Sequence, residues 1–384
     1  MRILHTADWH LGRIFYGVHL TDDQAHVLDD FIRLAKEVRP EVILIAGDVY
    51  DRAVPPPEAV ALLDETLSRL VLDVGAHVIV IAGNHDGPKR LAFGRRLLGR
   101  LKLHIVGEPD GDLPLVAIPD RWGPVHFVPL PYLEPALVRE RFPGERAQDH
   151  DAALDVLIRH ALARVPDGAR RVAVGHCFVA GGTASESERE LAVGGAGQVA
   201  PERFAAFHYA ALGHLHRPQE AGSPHQRYAG SLLKYSFSEA DHRKSVTVVE
   251  IDAAGRVTWD AVRLTPRREV RCLAGCLRDI LKGPKNGENR DDYLMVTLQD
   301  TGAILDAMGQ LRAVYPNVLH IERPHLTVGG ELRGPSGDHR RQSESDLFAA
   351  FFEQVTGNPL SGAEREAFKT VTETVNRHER EAEA

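Results

Sequence analysis

Asp8-Trp9-His10, Gly47-Asp48, Gly83-Asn84-His85-Asp86, Gly175-His176 and Gly213-His214-Leu215-His216 follow one another along the chain. Together they offer carboxylates, imidazoles and one carboxamide. This oxygen and nitrogen donor set without sulfur suits manganese, iron or zinc. It is large enough for two divalent ions. A pair of ions roughly 3.5–4 Å apart clamps both the attacking and the leaving oxygen of a phosphoryl displacement. The chemistry indicated is metal-dependent phosphoester hydrolysis. Asp48 is a natural bridge, because one carboxylate can give an oxygen to each ion. Asn84 adds a neutral oxygen and His176 an imidazole. Asp8 and His10 are expected on one face of an extended strand, as are His214 and His216. His85 follows a ligand and can face the substrate phosphate, where an imidazole stabilises charge and protonates the leaving oxygen. Asp86 is expected to orient His85 or its loop.

One such motif alone is an ordinary turn. The shared setting separates these five from turns. Val42–Ala46, Val78–Ala82, Val172–Val174 and Tyr209–Leu212 are short apolar runs, each ended by glycine. They read as buried strands, with the donors just past their C-terminal ends. That edge is where α/β sheets place ligands. Helices are expected between the strands. Thr21-Asp22-Asp23-Gln24 reads as a capping box opening a helix that stops near Arg39-Pro40. Pro55-Pro56-Pro57-Glu58 opens a second, with Ala59, Leu62, Leu63, Leu67 and Leu70 as its apolar stripe. A third is expected to run from Pro88 through Leu91, Phe93, Leu97 and Leu98. Ser245–Asp252 and Val257–Leu264 read as a hairpin.

The first domain is expected to span 1–265. A compact α+β unit follows over 266–328: strand Glu269–Leu273, helix Cys276–Lys282, strand Tyr293–Leu298, helix Ala303–Val314 and strand Val318–Glu322. A polar, glycine-rich linker covers 329–342. Two amphipathic helices fill 343–384, the first capped from Ser343, the second by a capping box of Ser361 and Glu364.

The 384 residues carry a formal net charge of −8 and three cysteines, Cys177, Cys272 and Cys276. That charge gives no global signal for nucleic acid, although binding depends on the local field around a groove. The cysteines form neither a disulfide framework nor a CxxC zinc pattern. No apolar run is long enough for a bilayer and the start lacks a secretory leader, so a cytoplasmic protein is expected.

The five motifs resemble those of the calcineurin-like metallophosphoesterases, whose fold is a two-sheet α/β sandwich flanked by helices. His5–Gly12, Ala46–Arg52 with the following prolines, Arg90–Gly94 and Tyr228–Glu239 are similar to the SbcD family, the nuclease subunits of bacterial SbcC–SbcD complexes. The resemblance implies a manganese-dependent nuclease acting on DNA ends, a double-strand exonuclease and single-strand or hairpin endonuclease. It implies one manganese on Asp8, His10, Asp48 and His216, the other on Asp48, Asn84, His176 and His214, and His85 as the catalytic histidine. Asp51 stands where archaeal and eukaryotic relatives carry a second active-site histidine, and Arg52 is placed to reach a phosphate. Further implications are a capping domain at 266–328, tail helices that dock on an SbcC-type coiled-coil ATPase, and a homodimer through helices near 58–72 and 88–98. Arg13, Tyr16 and Arg90 become candidate DNA-backbone contacts. The competing expectations are a phosphodiesterase for a small molecule or phosphoprotein and a non-catalytic scaffold.

Overall fold

The computed structural model describes residues 1–108, 113–188, 197–285, 287–301, 304–324, 344–356 and 358–382. The 329–342 linker, Ser343 and the side chains of Leu347, Val355 and Val375 lie outside the described residues. Two compact units result, Met1–Val270 and Arg271–Ala384.

Two six-stranded sheets build the first unit. In the first sheet Arg2–Thr6, Val42–Ala46, His77–Ile81 and Leu103–Val106 run parallel, and the hairpin of Ser245–Ile251 and Val257–Arg263 adds antiparallel strands beside Arg2–Thr6. In the second sheet Gln226–Tyr228, Tyr209–Gly213, Arg170–His176 and Gly123–Leu130 run parallel, with antiparallel edges Gln219–Glu220 and Val116–Asp120. One core fills the space between the sheets: Ile3, Val42, Leu44, Ile79 and Ile81 meet Phe127, Val172, Val174, Tyr209 and Ala211. These residues alternate along their strands, as the pleat requires. The intervening Ile43 and Ile45 are equally buried on the other face, so the parallel strands read as continuous apolar runs. The sheets approach closely at Gly213, where a Cβ would fall 1.9 Å from the carbonyl oxygen of Ala46. Only glycine permits that contact.

The helix Thr21–Val38 buries Val27, Leu28, Phe31, Ile32 and Ala35 at helical spacing and sets Phe31 edge-on against Trp9. It is not opened by a capping box. Thr21 is already helical, Leu20 is the cap, and no side chain bonds the cap. Gln24 is drawn into the loop after the first strand instead. Pro57–Ser68 buries Ala59, Leu63 and Leu67 and is continued by a wider turn, Arg69–Asp73, that buries Leu70. The expected continuous helix from Pro88 is broken into Pro88–Leu91 and Arg95–Leu98, because Gly94 turns left-handed with φ +73°. Phe93 is 86% and Leu97 74% exposed, so they form no inner stripe.

The second unit carries a three-stranded sheet, Val270–Gly275, Tyr293–Leu298 and Val318–Glu322. Its helices are shorter than expected, Leu277–Ile280 and Ala307–Val314; Ala303 lies outside the described residues. Leu277, Ile280, Leu294, Val296, Leu298, Leu311, Tyr315 and Val318 make a separate small core. Glu344–Thr356 and Gly362–Ala382 follow as a helix pair with the Phe348 and Phe368 rings stacked 3.9 Å apart. Ser361 and Glu364 form a reciprocal capping box, each backbone N–H donating to the other side chain. Among the described residues no helix is long and apolar enough to cross a membrane.

Candidate metal centre

The loops that leave the parallel strands are stitched together by backbone hydrogen bonds. Asp8 N–H donates to the Gly47 carbonyl at 3.0 Å, His10 to Asp48 at 2.9 Å and Leu11 to Val49 at 2.9 Å. Along this ladder the backbone is not extended. Asp8 has φ +54°, His10 +46°, Asp48 +47° and His214 +108°. Such residues are uncommon in this region and carry strain that the surrounding structure must hold. The expectation of a pleated strand for Asp8 and His10, and for His214 and His216, is therefore corrected. A left-handed turn at the end of the strand, not alternation along it, aims the side chains inward.

Gln24 is the brace for that turn. Its amide donates to the carbonyls of His10 at 2.7 Å and Trp9 at 3.2 Å, and its oxygen accepts from Gly12 N–H at 3.1 Å. Asp86 braces the other loop. Its carboxylate accepts from the backbone N–H of Tyr50 at 2.9 Å, Gly83 at 2.9 Å and Val49 at 3.2 Å. Of the two tasks expected for Asp86, it thus grips the loop and not the His85 ring.

Seven donors converge. His10 Nε2 and His216 Nε2 lie 3.0 Å apart. Asn84 Oδ1 lies 3.0 Å from His176 Nε2 and 3.3 Å from His214 Nδ1. Asp48 Oδ2 sits between the two groups, 3.7 Å from His10 Nε2 and 3.5 Å from His176 Nε2. Asp8, His10 and Asp48 form one set of ligand atoms with metal-binding spacing; Asp48, His176 and His214 form another. The Asp8 carboxylate also accepts from His214 N–H at 2.9 Å.

These residues fit divalent cations. Asp8, His10, Asp48, His176, His214 and His216 are all buried, and no lysine or arginine pairs with Asp8 or Asp48 among the described residues. Burial lowers His10 to a pKa of about 4 and His214 to about 3, which leaves both neutral with lone pairs available. Neutral imidazole is the form that ligates metal. Burial drives Asp8 upward, while His176 opposes it. Burial also opposes charge on Asp48, but His176, His10 and His85 outweigh it and hold that carboxyl well below its usual range. Burial opposes charge on His176, but Asp48 and Asp8 raise it to about 9, so in the metal-free site that imidazole carries the balancing proton a bound cation would replace. Asn84 Nδ2 is buried without a hydrogen-bond partner among the described residues, as follows when the amide is turned to present its oxygen.

The imidazoles are held from behind. His176 Nδ1 lies 2.8 Å from the Ala46 carbonyl. His10 Nδ1 is 3.6 Å from Asp51 Oδ1, whose carboxylate also accepts from Arg13 at 2.8 Å. His85 Nδ1 lies 2.8 Å from the Asp51 carbonyl, and the His85 N–H donates to Asp48 Oδ1 at 2.9 Å. Asp51 thus touches a donor histidine with its side chain and His85 with its backbone. Arg13 is engaged with Asp51, and the Arg90 guanidinium binds the Ala53 carbonyl in the same loop. Arg52 is exposed. Tyr16, at 54% exposure, forms the tip of a small hairpin between Ile14–Phe15 and Val18–His19, its ring 5.2 Å from Phe237. The structure therefore gathers all seven donors and His85, while Tyr16, Arg52 and Arg90 are exposed. Gln24, Ser187, Glu188, Glu239 and Lys244 were not read from the sequence as site residues, yet all but Gln24 close around His216.

Residues 1–218 match the calcineurin-like phosphoesterase family, and residues 266–356 match the type 5 capsule protein repressor C-terminal domain. The SbcD subunit of the nuclease SbcCD from Staphylococcus epidermidis is 30% identical over 369 residues, 96% of this chain and 97% of that one. The solved structure of TT1561 from Thermus thermophilus aligns with TM-score 0.39 at 15% identity, over 68% of this chain and 99% of that one. The chain belongs to the calcineurin-like phosphoesterases and, within them, to the SbcD nuclease family.

Proposed function

We propose that this chain is a manganese-dependent DNA nuclease that trims duplex ends as an exonuclease and opens single strands and hairpins as an endonuclease. The observation that carries the reading is the pair of buried donor groups sharing Asp48, with His85 alongside. Asp8, His10, Asp48 and His216 would hold one ion; Asp48, Asn84, His176 and His214 would hold the other. Bound there, the ions supply Lewis acidity and an activated water. His85 donates its Nδ1–H to the Asp51 carbonyl, which fixes the ring. Protonated on both nitrogens, the ring would face the phosphate with Nε2–H and give that proton to the leaving oxygen, ending as the neutral Nδ1–H form. Asp86 and Gln24 hold the two loops rigid, so little reorganisation is left for the reacting state. Tyr16 and Arg90 are the DNA-backbone candidates with exposed side chains, whereas the half-buried Arg13 acts mainly by fixing Asp51.

The relative's name supports a complex with an SbcC-type ATPase, for which the helices in 343–384 are the docking candidates, and a cytoplasmic setting fits the thiols of Cys177 and Cys276. A homodimer is supported by the exposed Leu72, Phe93, Leu97 and Leu101 around the Pro57–Ser68 helix and the 88–101 segment. Sedimentation velocity tests both assemblies. The nuclease reading is tested by incubating end-labelled linear and hairpin DNA with the chain and manganese, alone and with the ATPase. Manganese-dependent shortening is expected. Turnover of a small phosphodiester with DNA left intact under both conditions would overturn it.

A further inference from the structure

The two donor groups are not supported equally. Behind His176 stands a neutral backbone carbonyl, that of Ala46. Behind His216 stands a charged relay contributed by segments far away in sequence. His216 Nδ1 lies 2.7 Å from Ser187 Oγ, and the Ser187 hydroxyl in turn donates to Glu239 Oε1. The other Glu239 oxygen accepts from the Lys244 ammonium, so the carboxylate is fixed as an acceptor. This settles the direction of the chain. Ser187 has one proton and gives it to Glu239; it must then accept from His216 Nδ1–H. The lone pair of His216 is left on Nε2, the atom 3.0 Å from His10 Nε2. Glu239 is completely buried. The backbone of His216 is gripped by the same cluster: its N–H donates to Glu188 Oε1 at 2.7 Å, and its carbonyl accepts from Lys244 Nζ at 2.7 Å.

From this geometry we infer that Ser187 and Glu239 are positioning residues that set the His216 tautomer and strengthen one metal position over the other. A histidine that hands its far proton to a carboxylate-backed partner is both oriented and a stronger donor. The position fed by His10 and His216 has such support on His216; Asp51 Oδ1 stands 3.6 Å behind His10 Nδ1, beyond hydrogen-bond distance. The position fed by His176 and His214 has the Ala46 carbonyl. The inference rests on the two-metal reading above.

Ser187→Ala is the decisive variant, because it removes the 2.7 Å hydroxyl bridge and leaves His216 Nδ1 only the longer 3.3 Å contact with Glu239 Oε1, with the buried Glu239–Lys244 pair in place. Manganese binding is measured by calorimetry on the full chain, with imidazole tautomers read from ¹⁵N shifts of the metal-free protein. Wild type should bind two equivalents, with His216 protonated on Nδ1. In Ser187→Ala one equivalent should weaken by about 10–100-fold while the other is unchanged, and the His216 proton should redistribute. Ser187→Thr, which keeps the hydroxyl, should restore both. Unchanged binding of both equivalents in Ser187→Ala, or equal weakening of both, would overturn the inference alone. Fewer than two equivalents in wild type would overturn the two-metal reading and the inference with it.

Discussion

His85 has its ring fixed on one side only, through Nδ1, and that asymmetry defines its expected phenotype. It is not needed to complete either donor group, so His85→Ala should keep both manganese equivalents. Loss of a positioned proton donor costs about 10²–10⁴-fold in turnover. The expected outcome is a fall in kcat of that order with calorimetric metal binding intact; loss of metal binding in His85→Ala would make it a ligand instead. At this scale the sequence is informative about donors and silent about braces. Asp48, Asn84, His176 and His214 stand out because each follows a glycine that ends an apolar run, and Asp8, His10 and His216 because they sit one residue from another donor. Ser187 and Gln24 are of types found on any surface. What makes them matter is a contact across 29 residues for Ser187 with His216 and 14 for Gln24 with His10, which no local pattern encodes.

Each strand of the first sheet ends in a loop that must stay rigid, and the sheet interior is correspondingly intolerant of charge. His5, on the strand that leads to Asp8, is fully buried with Nδ1 2.9 Å from Tyr209 Oη. Burial lowers its pKa to about 3. In the unfolded chain a histidine titrates near 6.5. Between these values the unfolded state binds a proton that the folded state does not, so stability falls as pH drops from about 6.5 toward about 3. The slope is at most about 1.4 kcal/mol per pH unit for this one group. Urea midpoints at pH 7 and pH 5 should therefore converge in His5→Phe relative to wild type; parallel acid limbs in the two proteins would reject this account. The strands were legible because continuous β-branched runs have few alternatives. The breaks were less so. Gly94 ends a helix whose apolar spacing reads as continuous, and Phe93 and Leu97 are consequently turned outward. Thr21–Gln24 has the composition of a cap, but the site loop competes for Gln24 and wins with three hydrogen bonds.

At the scale of the molecule, the outward Phe93 shares one apolar groove with Leu72 and Leu101, with Leu97 also exposed on the 88–101 segment, a patch of a kind that monomers rarely leave open. Sedimentation velocity at micromolar concentration should show a dimer. Phe93→Glu with Leu97→Glu should shift it to a monomer that still binds manganese. A chain ending at 342 should remain dimeric but no longer co-sediment with the ATPase. A monomeric wild type, or co-sedimentation unaffected by the truncation, would reject the corresponding assembly.

The close approach of Gly213 to the Ala46 carbonyl marks the seam where the two sheets meet, and the donors straddle it. Asp8, His10, Asp48 and Asn84 leave the first sheet, while His176, His214 and His216 leave the second. Each proposed ion position draws on both. A bound cation is then a clasp across the sandwich, closing from outside what the shared core closes from within. Ligand binding to the folded state alone is worth about 2.7 kcal/mol at a hundredfold excess over Kd. Chelation should therefore lower the melting temperature and speed amide exchange first at Ala46 and Gly213; exchange that accelerates evenly over both sheets would show that the clasp is not there. On this view the protein's readiness to cut and the grip of its two halves on each other are set by the same ions.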